Sequence, residues 1–272
     1  MDQLMQMMKK RDRDKALWIG ILLLIVVLGC GPSQEEKASA RLKVARGLLQ
    51  GGDTTTALLQ IDSVMLLHPK AAISVNAATN LRKEVLWSLF QRRQVSLDSA
   101  RARIARLENR FLLTKGEFER TPRYVHLQQL PEENLSRSYL RADVTPDGEL
   151  VLTSQYYGSG RLAHQRIRIY DEALEAFTDS VAPGSADVYH GSFLGTTWER
   201  VTFRGGRERE VAPFIADHGD LRLKMAFLGR KSSYVVFLED RDKKAIREAV
   251  ELSQALRNKK AIEEEIARLN LQ

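Results

Sequence analysis

The residues of this chain that could do chemistry are few and scattered. Its five histidines are His68, His126, His164, His190 and His218. None stands at a metal-ligating spacing such as H-x₃-H or H-E-x-x-H, so no metal site is expected. Ser159 is flanked by Gly158 and Gly160. A nucleophile elbow, however, needs G-x-S-x-G between a parallel strand and a helix, and here the glycines bracket a hairpin loop. Glycan hydrolysis would need two carboxylates facing each other across roughly 5–9 Å. Asp143, Asp147, Glu149, Asp171, Asp187 and Asp217 occur singly, mostly at turn signals, and nothing in the sequence pairs them. Phosphate-binding glycine loops are absent. The densest gathering of ligand-contacting residue types is "QYYGSGRLAH", residues 155–164. Tyr156, Tyr157, Arg161 and His164 are therefore the candidate ligand contacts, with ordinary packing of the aromatic pair as the competing reading. No catalytic residue and no cofactor is expected.

One nucleophile remains, the thiol of Cys30, the chain's single cysteine. It can form no internal disulfide, so the fold must rest on an ordinary core. It ends an unusual segment. Lys9, Lys10, Arg11, Arg13 and Lys15 come first, and Ala16 to Gly29 then run 14 residues without a charge. A helix crossing about 30 Å of hydrocarbon needs about 20 apolar residues, whereas the apolar core of a secretory signal takes roughly 7–15. The run therefore fits a cleaved signal better than a membrane span. An uncleaved single-pass anchor over residues 16–32 is the alternative.

Val27-Leu28-Gly29-Cys30 resembles the lipobox of bacterial lipoproteins. The resemblance implies cleavage between Gly29 and Cys30 and acylation of the thiol, with palmitate-type chains. It also implies a location in the bacterial cell envelope, at the outer membrane. Several chains make such an anchor stable, since each buried methylene contributes about 0.8 kcal/mol and one chain alone holds marginally. Residues 30–36 would form the tether. Glu35 and Glu36 resemble the surface-export signal of Bacteroidota lipoproteins, and they could equally begin the next helix.

The chain carries 42 basic and 35 acidic residues. Without residues 1–29, which hold five basic and three acidic side chains, 37 stand against 32. That balance is too even, and its charges too interspersed, to mark a nucleic-acid partner. The basic run "RARIARLENR" holds no aromatic residue on which a base could stack.

The elements that must position these residues fall into two kinds. Over 37–115 the pattern is helical. Leu42, Ala45, Leu48 and Leu49 recur at helical spacing up to Gly51-Gly52, and Asp53 or Thr54 caps a second helix bearing Ala57, Ile61 and Val64 before Pro69. The second helix resembles that of a tetratricopeptide unit, in a single degenerate copy; a plain helical hairpin is the alternative. A third helix is expected from Ala71 to about Arg93, and a fourth after Ser96. In the fourth, Leu97, Ala100, Ile104, Leu107 and Phe111 form a coiled-coil seam. Leu252, Lys259 and Ile266 at a, with Ala255, Ile262 and Leu269 at d, form a matching seam in a C-terminal helix over 240–272. Arg101, Arg103 and Arg110 face Glu263 and Glu265 as its charged flanks, so the two helices should pack together.

Between them, over 116–239, apolar and polar residues alternate between turn signals. Thr145-Pro146-Asp147-Gly148 is one such turn, and "EREVAPFIA" is read as one of eight or nine short strands. The expected fold is α+β, with an antiparallel sandwich or barrel inserted into a helical stalk. "RSYLRADVTPDGELVLTSQYYGSGRLAHQRIRIYD" and "LRLKMAFLGRKSSYVVFLEDRDKKAIREAVELSQAL" resemble Bacteroidota outer-membrane lipoproteins, a likeness that implies no activity. The expected function is a lipid-anchored envelope protein with a non-enzymatic structural or docking role toward another envelope protein. A glycan-binding or glycan-cleaving β domain on the same anchor is the alternative.

Overall fold

The computed structural model describes residues 33–116 and 121–270. The signal-like segment 1–29, the Gly29–Cys30 junction and the anchor alternative over 16–32 lie outside the described residues. Among those described, no helix is long and apolar enough to cross a membrane. The architecture is α+β, with helices and two antiparallel sheets. The chain divides into two compact units, Met1–Gln91 and Arg92–Gln272.

The first unit is a helical hairpin followed by the start of a long helix. Helix α1 spans Gln34–Gln50 and α2 spans Thr54–Leu67. Ser33 and Glu36 close a reciprocal capping box on α1, and Asp53 caps α2 through the Thr56 amide. Gly52 sits at φ 83° between them, a left-handed turn that glycine adopts without penalty. Ala38, Leu42, Ala45, Ile61, Val64 and Ala78 form the small core. The two glutamates after the tether have defined partners here. Glu36 completes the cap, and Glu35 accepts from the backbone and hydroxyl of Ser74.

Helix α3 runs unbroken over Ala72–Glu108, which corrects the expected break after Arg93. Ser96 caps nothing, because its hydroxyl donates back to the Arg92 carbonyl one turn earlier, a bond compatible with a continuing helix. The seam prediction holds within the second unit. Leu97, Ala100, Ile104 and Leu107 are buried, as are Leu252, Ala255, Ile262 and Ile266 of the C-terminal helix α5, Asp240–Asn270. Arg101 pairs with Glu263 at 3.6 Å and Arg93 with Glu265 at 2.6 Å, so the helices run antiparallel. Phe111 is a further correction. It opens strand β1, Phe111–Thr114, and no longer belongs to the helix.

The remaining strands are β2 Arg123–His126, β3 Tyr139–Val144, β4 Leu150–Gly158, β5 His164–Tyr170, β6 Glu175–Phe177, β7 Val188–Phe193, β8 Thr196–Phe203, β9 Lys224–Gly229 and β10 Ser233–Phe237. They form a six-stranded sheet in the order β1-β2-β3-β4-β8-β7 and a four-stranded sheet in the order β10-β9-β5-β6. Both sheets are open, so the fold is a sandwich and not a closed barrel. The stretch expected as the strand "EREVAPFIA" is instead a short helix, α4, Val211–Asp217, burying Val211, Ala212 and Ile215. The Thr145–Gly148 turn forms as expected, with the Gly148 amide donating to the Thr145 carbonyl and Gly148 at φ 84°.

One core joins the inner faces of both sheets to α4 and α5. Leu140, Leu152, Val201 and Phe203 come from one sheet, Ile167, Ile169, Met225 and Phe227 from the other, and Ile246, Ala249 and Leu252 from α5. Two buried acids fix α5 in place. Asp242 accepts a two-pronged bond from Arg137 and another from Gln129. Glu248 accepts from Arg110 and from His126 Nε2 at 2.8 Å.

Candidate functional site

The candidate ligand stretch 155–164 separates onto two sides of a sheet. On β4, Leu150, Leu152, Ser154 and Tyr156 point inward, and Thr153, Gln155 and Tyr157 outward, as a strand's two-residue period demands. Tyr156 is buried against Phe227 and Tyr234 at 6.1 and 5.2 Å between ring centres. Its hydroxyl is shifted above the usual phenol range, first by burial and then by the nearby Glu199 carboxylate. Tyr157 lies on the opposite face beside Trp198, at 5.5 Å. The adjacent tyrosines thus cannot share one ligand. Gly158 ends the strand where a Cβ would run into the Tyr156 ring.

His164 starts β5 next to an irregularity in its pairing with β9, between His164 and Arg166. Regular alternation would put His164 on the outer side with Arg166. The extra residue turns its ring inward instead. There it meets two residues that nothing in the sequence grouped with it. Its Nδ1 lies 2.9 Å from Glu199 Oε2, and its Nε2 lies 2.8 Å from Ser154 Oγ. Glu199 also accepts the backbone N–H groups of Leu162 and Ala163 at 2.8 Å and that of His164 at 3.0 Å. Burial alone would raise this carboxyl. The bonds from the His164 ring and from the amides of Ala163 and His164 outweigh it, and the acid is lowered to about 2. An ionised Glu199 only accepts, so the proton of that bond sits on Nδ1. Nε2 faces the Ser154 hydroxyl, which also lies 3.5 Å from the Val201 carbonyl.

Serine, histidine and carboxylate therefore stand in the order used for nucleophilic acyl transfer. The surroundings do not fit that use. Ser154, His164 and Glu199 are 0%, 1% and 3% exposed. Ser154 lies mid-strand, paired to Leu140 on one side and Val201 on the other, so its backbone is committed to the sheet. The Phe227 ring meets the imidazole edge-on at 5.2 Å. All four bonds to Glu199 come from the 162–164 segment. They hold Ala163 at φ 52°, a left-handed conformation that alanine seldom adopts. The array joins one sheet to the other, since Ser154 and Glu199 belong to the six-stranded sheet and His164 to the four-stranded one.

Above this array lies a cavity of about 320 Å³ whose lining includes His164, Glu199, Gln165, His190, Arg161 and Arg230. Arg161 and Arg230 arrive on two loops that the close approach of Gly229 to the Leu162 carbonyl brings together; a Cβ at Gly229 would strike that oxygen. Neither arginine has an ion pair among the described residues. The cavity can hold a small polar or anionic group at its rim. It contains one carboxylate, Glu199, whose oxygens are already occupied.

Of the sequence-derived candidates, Arg161 and His164 meet at this cavity, while Tyr156 is core and Tyr157 faces away. Ser154 and Glu199 went unread. Their signal was parity, a polar residue at an inward position of an otherwise apolar strand face. Asp143, read as a turn acid, is instead buried on β3, 2.9 Å from Arg141 Nε. The other buried histidine, His126, pairs with Glu248. Among the described residues, no group of His, Cys, Asp and Glu could hold a metal ion. No protein-family model, curated protein or solved structure matches this chain.

Proposed function

We propose that this protein is a lipid-anchored component of the bacterial cell envelope whose β sandwich binds or docks another envelope component and catalyses nothing. The anchoring part of the reading rests on the 14 uncharged residues that close at Gly29-Cys30. The non-enzymatic part rests on one observation, the full burial of Ser154 beneath His164. The sole nucleophile–base–acid array described is spent on joining two sheets. Glycan cleavage is disfavoured further because the cavity offers one carboxylate where two are required.

Two measurements test this reading separately. Cys30→Ser should abolish incorporation of a clickable fatty acid and leave an unprocessed precursor. Equal labelling of wild type and variant would sink the anchor. The purified protein should show no turnover on ester, peptide or glycan panels. Turnover that Ser154→Ala removes, in a variant that stays folded at the assay temperature, would overturn the non-enzymatic part.

A further inference from the structure

The outer face of the four-stranded sheet gathers basic and aromatic side chains. Strand register places Arg166, Arg168 and Tyr170 of β5 beside Leu228, Ala226 and Lys224 of β9. Phe177 of β6 lies opposite Arg168 on one flank, and Val235 and Phe237 of β10 lie opposite Ala226 and Lys224 on the other. Their inward neighbours Ile167, Ile169, Met225 and Phe227 are core, so these residues lie on the outer face, partly exposed except for the buried Ala226. Basic groups and rings interleave across all four strands. Arg166 lies over Phe177 at 4.3 Å, Arg168 over Tyr170 at 4.3 Å, and Arg222 over Phe237 at 4.2 Å. Lys224 stands between Tyr170 and Phe237, at 5.9 and 5.6 Å.

The charge is one-sided. On the strands of this face the acid is Glu175, and Arg168 takes it at 2.5 Å. Arg222 and Lys224 have no carboxylate partner among the described residues. From Leu221 to Leu238 the chain holds Arg222, Lys224, Arg230 and Lys231 and not one acid. On the same face Val235 and Phe237 are 46% and 47% exposed.

We infer that this face docks on an anionic phospholipid surface, the cations engaging headgroup phosphates and Phe237 and Val235 entering the headgroup zone. Three features favour that occupant. Each guanidinium already covers a ring, so the ring is not free to stack on a sugar. Arg166 spends its Nε on the Thr178 carbonyl and Arg168 pairs with Glu175, while Arg222 has no carboxylate partner among the described residues and keeps a planar fork that suits phosphate oxygens. The cations lie side by side on the two central strands, β5 and β9, and on the segment leading into β9, with aromatic and aliphatic groups on both flanking strands, which suits a surface better than one linear chain. Exposed aromatic and aliphatic groups among basic ones are also the composition of an interfacial segment. The inference goes beyond the lipid anchor and does not depend on acylation of Cys30.

The test uses the full chain reconstituted in nanodiscs, once of neutral phosphatidylcholine and once with phosphatidylglycerol added. An amine-acylating reagent labels the lysines, and mass spectrometry reads each site. The exposed Lys43 of α1 serves as internal reference. Labelling of Lys224 relative to Lys43 should fall about tenfold on anionic discs, given several basic groups each favouring the charged surface. It should recover in high salt, where exposed charges are screened. Arg222→Gln with Lys231→Gln, both at exposed positions, should weaken the protection. Equal Lys224 labelling on the two discs would overturn the inference. So would protection on neutral discs by heparin or DNA at least as strong as that by anionic lipid, which would make the ligand a soluble polyanion. Because every disc carries the chain by its N-terminal segment, loss of anchoring appears as loss of disc association, a separate readout.

Discussion

Two buried histidine–carboxylate pairs occupy two regions of the second unit, and they differ in what each histidine's second nitrogen meets. At His126 the Nε2 faces Glu248, and Nδ1 accepts the Gln128 backbone amide at 3.2 Å. At His164 the Nδ1 faces Glu199, and Nε2 takes the Ser154 hydroxyl. Their carboxylates are compensated differently as well. Glu248 receives the half-exposed Arg110 guanidinium, and Glu199 receives three backbone amides and no arginine or lysine. The same pair thus fastens a helix in one place and a strained loop and two sheets in the other. A serine placed beside such a pair gives the appearance of a catalytic array. Solvent reach decides between appearance and use.

The comparison can be broken most directly by removing each acid. Glu199→Ala leaves a buried imidazole and three amides without their acceptor and should cost about 3–5 kcal/mol. Glu248→Ala should cost less, about 2 kcal/mol, because Arg110 can turn to water. Denaturant unfolding of both variants checks the order, and a larger loss at Glu248 would reverse the reading.

Acid should separate the two regions by nearly as much. Glu199 lies at about 2 in the fold against an ordinary 4.5. Its contribution, about 3 kcal/mol, is present in full above pH about 4.5 and lost as pH falls toward 2. Glu199→Gln should flatten that part of the stability curve, and Glu248→Gln should leave it in place. The smallest effect belongs to Ser154→Ala, about 1 kcal/mol for the lost hydroxyl bond to the His164 ring. A cost as large as that of Glu199→Ala would mean that the hydroxyl, not the carboxylate, holds the sheets together.

Much of the architecture was legible where local chemistry had no rival. Gly51-Gly52 and Asp53 marked the helical hairpin, and the heptad spacing of Leu97, Ile104, Leu252 and Ile266 marked a helix pair far apart in sequence. The errors came where two patterns compete over a few residues. Val211, Ala212 and Ile215 bury at helical spacing, yet "EREVAPFIA" also alternates. Phe111 continues the seam's heptad but pairs with His126 as a strand. The site was the least legible part. Tyr156 and Tyr157 are neighbours in sequence and lie on opposite faces, while Ser154 and Glu199 are distant and meet through His164. The β4–β8 pairing puts Ser154 and Glu199 on one inner face, and the inward turn at the start of β5 adds His164; a bulge leaves no fixed residue signature.

The acids of α5 also govern the order of events in folding. Asp242 reaches Gln129 and Arg137, and Glu248 reaches His126 and Arg110, across separations of 105 to 138 residues. Arg137, His126 and Gln129 lie early in the sandwich; Gln129 and Arg137 each have one local acceptor, the Leu140 carbonyl and Asn134, but their bonds to Asp242, and that of His126 to Glu248, wait for α5. Closing such long loops carries an entropic cost before any contact rewards it, which slows folding. The sandwich therefore cannot settle while its C-terminal helix is still being synthesised. For most of its synthesis this chain is held open by its own topology.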